Sequence, residues 1–281
     1  MKFLIPTDFS KLSIVAVHYA LELSKKLDAQ IVLLKVVNLS AVPRTQLFVK
    51  AEERMVDDAK QDSIQLINKI KTEHKGKLNI GYKVICGYPV EDVVTNFAHH
   101  NNFDLIIIGT KGASDLTKVL IGSNATAVIN KSDIPVIIVP EFGRFNSIKN
   151  IVYATNMWDL DTEIKTLIPL AIIFNSNIHI LHVISPSSNK KIDPELMLAS
   201  IKKKYSKITF HVSINDNIAV GIDEYVADIK ADMLAMFTHE VTFFEKLFGK
   251  SVTREMAFHT SIPLLTFNNN LVNTTPVNYS T

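Results

Sequence analysis

The chain has 281 residues, of which 47% are hydrophobic, and carries 30 basic against 28 acidic side chains for a formal charge of +2. That balance gives no electrostatic case for nucleic acid, and the lone Cys86 excludes an internal disulfide and a thiolate metal cluster. The longest apolar runs, Leu105 to Ile108 and Val136 to Val139, are strand-sized, so no membrane span is expected.

In chain order, Met1 to Pro6 has one charge and a short apolar run cut by proline. It lacks a signal peptide's apolar core and cleavage site and reads as a strand, which predicts a cytoplasmic protein. Further strands are expected near 30–37, 78–85, 104–109 and 136–140, with helices near 12–27, 44–73, 90–101 and 123–131. The first helix presents Ile14, Val17, Leu21 and Ser24 on one face at three- and four-residue spacing. The long second helix is expected to turn Met55, Ala59, Ile64 and Ile67 inward. Cys86 reads as a small buried hydrophobe at a strand end. Pro89 fits the first turn of the third helix, with Glu91 and Asp92 favourable beside it. His99 and His100 look like a polar helix end. A polar linker, Glu141 to Lys149, contains Gly143.

Beyond the linker the pattern repeats, with strands expected near 150–154, 177–184, 208–214, 232–237 and 263–267. Leu4 to Asp8 matches Val152 to Asn156 at an offset of 148 (155 − 7 for the two threonines). Phe103-Asp104 matches Ala231-Asp232, and Ile134-Pro135 matches Ile262-Pro263, at an offset of 128 (232 − 104). The second copy is therefore shorter by 20 residues (148 − 128) between its second and third strands. Alternating strands and helices imply an α/β fold with mostly parallel sheets and right-handed crossovers. Domains are expected at 1–143 and 148–268, with 269–281 a tail without periodicity.

Gly109 closes the apolar run from Asp104, Lys111 and Gly112 follow, and Gly122-Ser123-Asn124 opens a helix. A glycine turn at a strand's carboxyl end, followed by a helix N-terminus, is how α/β folds hold phosphate. The alternative for these glycines is a plain turn and helix cap. The spacing is neither a Walker A motif nor the dinucleotide fingerprint.

The array Gly109/Gly112/Gly122-Ser123, the strand end Pro6-Thr7-Asp8 and the closing run Ile134 to Pro140 resemble the universal stress protein family, over roughly residues 1–270. The resemblance implies two tandem five-stranded parallel sheets of Rossmann-like, nucleotide-binding type. It also implies pairing through their last strands as an internal pseudo-dimer, a homodimer being the other form of that pairing. It further implies ATP, with or without magnesium, as ligand. Pro6, Thr7 and Asp8 would border it, Asp8 contacting ribose or, through a cation, phosphate. Val36 would lie against adenine, Gly109 and Gly112 would shape the loop, Lys111 would add positive charge, and Gly122, Ser123 and Asn124 would hold phosphates. Without ligand, Asp8 reads as a helix cap, Val36 as core and Lys111 as a solvated lysine.

The second copy departs from this pattern. Asn156 replaces Asp8, Phe237 replaces Gly109, Glu240 replaces Gly112, and Lys250 intrudes between Gly249 and Ser251. ATP binding in that copy is not expected, since a glutamate repels a triphosphate; a structural role, or an apolar or cationic ligand, is the expectation. His182 and His239 could approach each other there, but no local ligand spacing supports a metal. Hydrolase and zinc-protease signatures are absent, so no enzyme activity beyond slow ATP hydrolysis is expected. The leading expectation is a regulatory, stress-response ATP binder with possible protein partners. The alternative is an interaction or small-ligand protein with a vestigial glycine array.

Overall fold

The computed structural model describes residues 1–39, 48–74, 78–110, 123–157, 159–187, 193, 198–199, 201–238 and 262–268. Among them the chain divides into two compact units, the first ending at Arg144 and the second starting at Phe145. No helix among the described residues is long and apolar enough to cross a membrane.

Unit 1 runs β1 (Lys2–Pro6), α1 (Lys11–Leu27), β2 (Gln30–Val37), α2 (Phe48–Glu73), β3 (Ile80–Cys86), α3 (Val90–His100), β4 (Leu105–Gly109), α4 (Ser123–Lys131) and β5 (Val136–Val139). Its strands lie in the order β3-β2-β1-β4-β5, each parallel to its neighbours. Parallel strands need crossovers that cover both sheet faces, which is why β1, β4 and β5 read as unbroken apolar runs; Phe3, Leu4 and Ile5 are fully buried. Each such side chain contributes about 1.5–3 kcal/mol. The order reverses between β1 and β4, and ligands of open α/β sheets bind outside the strand ends at such a switch point.

Unit 2 repeats the plan with β6 (Asn150–Ala154), α5 (Leu160–Phe174), β7 (Asn177–Ile184), β8 (Ile208–Ile214), α6 (Ile218–Asp228), β9 (Met233–Thr238) and β10 (Leu264–Asn268). Its order is β10-β9-β6-β7-β8, again parallel. The repetition reaches single bonds. Lys2 N–H donates to Asp104 Oδ2 at 2.7 Å and Asn150 N–H to Asp232 Oδ2 at 2.9 Å. Three pairs of non-glycine residues share positive φ: Phe9 and Met157 (66° and 70°), Asp28 and Asn175 (44° and 55°), Asn102 and Lys230 (both 51°). Asp28 and Asn175 are the αL caps that end α1 and α5.

Seven of the eight buried positions of α1 superpose on the buried positions of α5 at an offset of 147: Ser13, Ala16, Val17, Ala20, Leu21, Leu23 and Ser24 against Leu160, Glu163, Ile164, Leu167, Ile168, Leu170 and Ala171 (160 − 13 = 147). Glu163 thus occupies the core position of Ala16. The expected inward face of α2 is corrected. Ala59 and Ile67 are buried, but Met55 and Ile64 are 39% and 37% exposed, and Ser63 and Ile70 face the sheet instead. Buried Ser63 is tolerated because its hydroxyl donates to Ala59 O at 2.7 Å. Two smaller corrections concern α3 and β3. Pro89 is the N-cap of α3 rather than a first-turn residue, and Cys86 is half-buried. Burial raises the Cys86 thiol pKa, and Glu52 reinforces the shift, so the thiol form is favoured.

Candidate functional site

In unit 1 the segment after β1 is stitched by its own side chains. Thr7 N–H donates to Leu34 O on β2 at 2.9 Å, and Thr7 Oγ1 accepts from Phe9 N–H at 3.0 Å and meets Ser13 Oγ at 2.9 Å. Ser10 is the N-cap of α1, its Oγ accepting from Ser13 N–H at 3.3 Å. Asp8 Oδ1 accepts from Ser10 N–H at 3.0 Å, so Asp8 supports the turn without being the cap, and its side chain is exposed. Partial burial pushes the Asp8 carboxyl up, but hydrogen bonds from Ser10 and Ser13 outweigh it and leave it below its ordinary value. At neutral pH the site therefore presents a carboxylate able to accept from hydroxyls or face a cation.

Beside it, Gly109 ends β4. A Cβ there would lie 2.4 Å from Leu12 O and 2.9 Å from Leu12 C, both backbone atoms of α1. Helix-on-strand packing thus demands this glycine whether or not a ligand is present. The next residue, Thr110, donates its N–H to Val139 O at 3.1 Å. Its hydroxyl is buried and is the one buried side-chain polar atom without a hydrogen-bond partner among the described residues. Ser123 and Asn124, both exposed, form the first turn of the nine-residue α4. That helix is held at its far end by Lys131, which pairs with Glu91 at 3.1 Å and Asp92 at 2.7 Å on α3.

Of the expected site residues, Pro6, Thr7, Asp8 and Gly109 come together around the start of α1. Val36, half-buried, lies one strand away, opposite Ile85. Lys111, Gly112 and Gly122 lie outside the described residues.

Unit 2 keeps the frame of this site and changes its contents. Asn156 is exposed where Asp8 stands, and Met157 N–H reaches Thr155 Oγ1 at 2.9 Å, as Phe9 N–H reaches Thr7. Phe237 fills the place of Gly109, stacked on Phe267 at 4.8 Å and edge-on to Tyr153 at 5.9 Å. The Tyr153 hydroxyl and Thr155 Oγ1 both donate to Glu163 Oε2, the latter at 3.1 Å, and Glu163 is only 1% exposed. Burial first, and then the charge of Glu163, hold the Tyr153 hydroxyl well above the ordinary tyrosine range.

Residues 1–140 match the model of the universal stress protein family. The chain is 30% identical over 141 residues to the universal stress protein MJ0531 of Methanocaldococcus jannaschii, covering 49% of this chain and 81% of that protein. The chain belongs to the universal stress protein family. A second relative from the same organism, universal stress protein MJ0577, is 28% identical over 155 residues, covering 49% of this chain and 93% of its own length. The crystal structure of a universal stress protein from Archaeoglobus fulgidus shares the fold, with a TM-score of 0.72 at 19% identity, covering 95% of this chain and 98% of that one.

Several residues that shape the sites of this universal stress protein lie outside the motifs that mark the site in sequence. Ser10 and Ser13 could have been found as a capping serine and a second hydroxyl three residues on. Thr110 sits inside the glycine array, where a threonine carries no signal of its own. Glu163 resembles any helical surface carboxylate until Tyr153 and Thr155 are placed beneath it.

Three unit 2 histidines are engaged locally: His182 Nδ1 donates to Thr155 O at 2.8 Å, His179 Nδ1 meets Thr209 Oγ1 at 2.9 Å, and His211 stacks on Tyr225 at 4.6 Å. His239 and Glu240 lie outside the described residues. Among the described residues, no three metal-ligating side chains form a group able to hold an ion.

Proposed function

We propose that unit 1 binds ATP as a conformational ligand and that unit 2 does not. The observation that carries this reading is Thr110. Buried polar atoms are almost always hydrogen-bonded, and this unpartnered hydroxyl stands at the switch point of the sheet, next to Gly109 and directly after the strand whose connection leads to the α4 N-terminus. A ligand oxygen there would satisfy it. The ionised Asp8 carboxylate fits a ribose hydroxyl or a phosphate-bound magnesium ion, and the exposed first turn of α4 fits a phosphate. In unit 2 an aromatic ring replaces Gly109 and an amide replaces Asp8, removing both features. The reading is of a regulatory binding protein, in which ATP would act through unequal affinity for two states.

Calorimetric titration of ATP with magnesium into the full chain tests it. One site per chain is expected. Asp8→Ala should weaken binding about tenfold or more, the order expected for a lost charged hydrogen bond, and Thr110→Val should weaken it about fivefold. Two sites, or no binding, would overturn the reading.

A further inference from the structure

Lys35 stands at the carboxyl end of β2, one residue before Val36, and its Nζ lies 5.0 Å from the centre of the Phe9 ring. Phe9 is the residue between Asp8 and Ser10, held at φ 66°. A bulky side chain at positive φ persists only where its surroundings over-determine it. Two constraints are visible here: the Phe9 N–H on Thr7 Oγ1 from within the turn, and the Lys35 ammonium on the ring from the neighbouring strand.

Unit 2 makes the same reach with different chemistry. His182 occupies the position of Lys35 (182 − 35 = 147, the offset that also aligns α1 with α5), and Met157 that of Phe9 (157 − 9 = 148). Met157 offers no aromatic face, and His182 instead donates Nδ1–H to Thr155 O at 2.8 Å, fastening the matching turn through its backbone. In both units, then, one strand position reaches across to hold the turn at the switch point. Only in unit 1 is the residue before the positive-φ position a carboxylate (Asp8 against Asn156), and only there is the hold made by a cation on a ring.

We infer that Lys35 is a positioning residue of the unit 1 site: through the Phe9 ring it keeps the Asp8 turn in the conformation that meets the ligand. The inference rests on the ATP reading of unit 1. A cation over an aromatic face at a partly exposed site favours the held conformation about two- to fivefold.

Two substitutions separate charge from bulk. Lys35→Met keeps the length and the apolar stem, whereas Lys35→Arg keeps a cation that stacks well on a ring. Amide hydrogen exchange and ATP–magnesium titration are measured on the full chain for the wild type and both variants. Lys35→Met should speed exchange at the Phe9 and Ser10 amides about two- to fivefold and weaken ATP by a similar factor. Lys35→Arg should restore both, and exchange at Asn156 and Met157 should stay constant throughout.

Unchanged exchange in Lys35→Met would overturn the inference. So would faster exchange with undiminished ATP affinity, and so would an arginine variant that behaves like the methionine one. A wild-type chain that binds no ATP is a separate outcome: it refutes the function proposed for unit 1, and the positioning role falls with it.

Discussion

Ala16 and Glu163 hold equivalent places on two helices, yet one is a methyl group in an apolar core and the other a carboxylate. A buried carboxyl group is tolerated only when hydrogen-bonded, and Glu163 is accommodated because Ile5 of unit 1 is replaced by Tyr153 in unit 2 and the shared threonine turns its hydroxyl the same way. Glu163→Ala would strand two buried hydroxyls and leave a void, so a loss of about 3 kcal/mol is expected in urea unfolding of the full chain. Glu163→Gln, which keeps an acceptor, should cost less. In unit 1 the expected cost of Gly109→Ala is about 1–3 kcal/mol, because the Leu12 backbone has no cheap way to move. Legibility at this scale was uneven. Pro6, Thr7 and Asp8 stand out in the sequence as a strand end. The coupling of residue 163 to residue 153 is invisible there, since helical and strand patterns record which face is buried but not which buried atoms bond.

The elements were legible where periodicity is strong. β6, β7, β8 and α4 fall on their expected residues, and α1, α3, β4 and β9 shift by a single residue at one or both ends. The phase of α2 departs from expectation because apolar residues lie on more than one of its faces, so Met55 and Ile64 are left outside while Ser63 goes in. For the candidate site, the strand ends were readable, but the hydrogen-bonded turn before α1 was not: its geometry depends on Phe9 adopting positive φ, which no residue-type preference suggests. Ser10 links the two levels, capping α1 and hydrogen-bonding Asp8. Ser10→Ala is expected to cost about 1 kcal/mol in thermal or urea unfolding and to move the Asp8 carboxyl upward, as seen by carbon-detected titration. The Asp8 carboxyl lies below its ordinary value in the fold, so its contribution to stability is present above the unfolded value and is lost as pH falls through the folded one.

For the molecule as a whole, Asp223 on α6 sets an opposite trend. Burial raises its carboxyl to about 6. A raised carboxyl favours the fold below the unfolded value near 3.8 and loses that contribution as pH climbs through about 6. Asp223→Asn should therefore stabilise the chain at pH 7.5 by on the order of 1 kcal/mol, since the site is partly open to solvent, and should leave stability at pH 3.5 nearly unchanged. Denaturation midpoints across that range check the sign. A variant destabilised more at pH 7.5 than at pH 3.5 would show instead that Asp223 is held by a bond to its charged form.

The collision waiting at Gly109 also imposes an order on change. No side chain can be added there while the first turn of α1 rests on it, so a path from glycine to an aromatic ring must begin with the helix giving way. Once a ring such as Phe237 has settled against Phe267 and Tyr153, removing it leaves a hole rather than a restored contact. The step works as a ratchet: simple reversion at one position cannot return unit 2 to the shape of unit 1, and the two halves of the chain are no longer free to exchange roles.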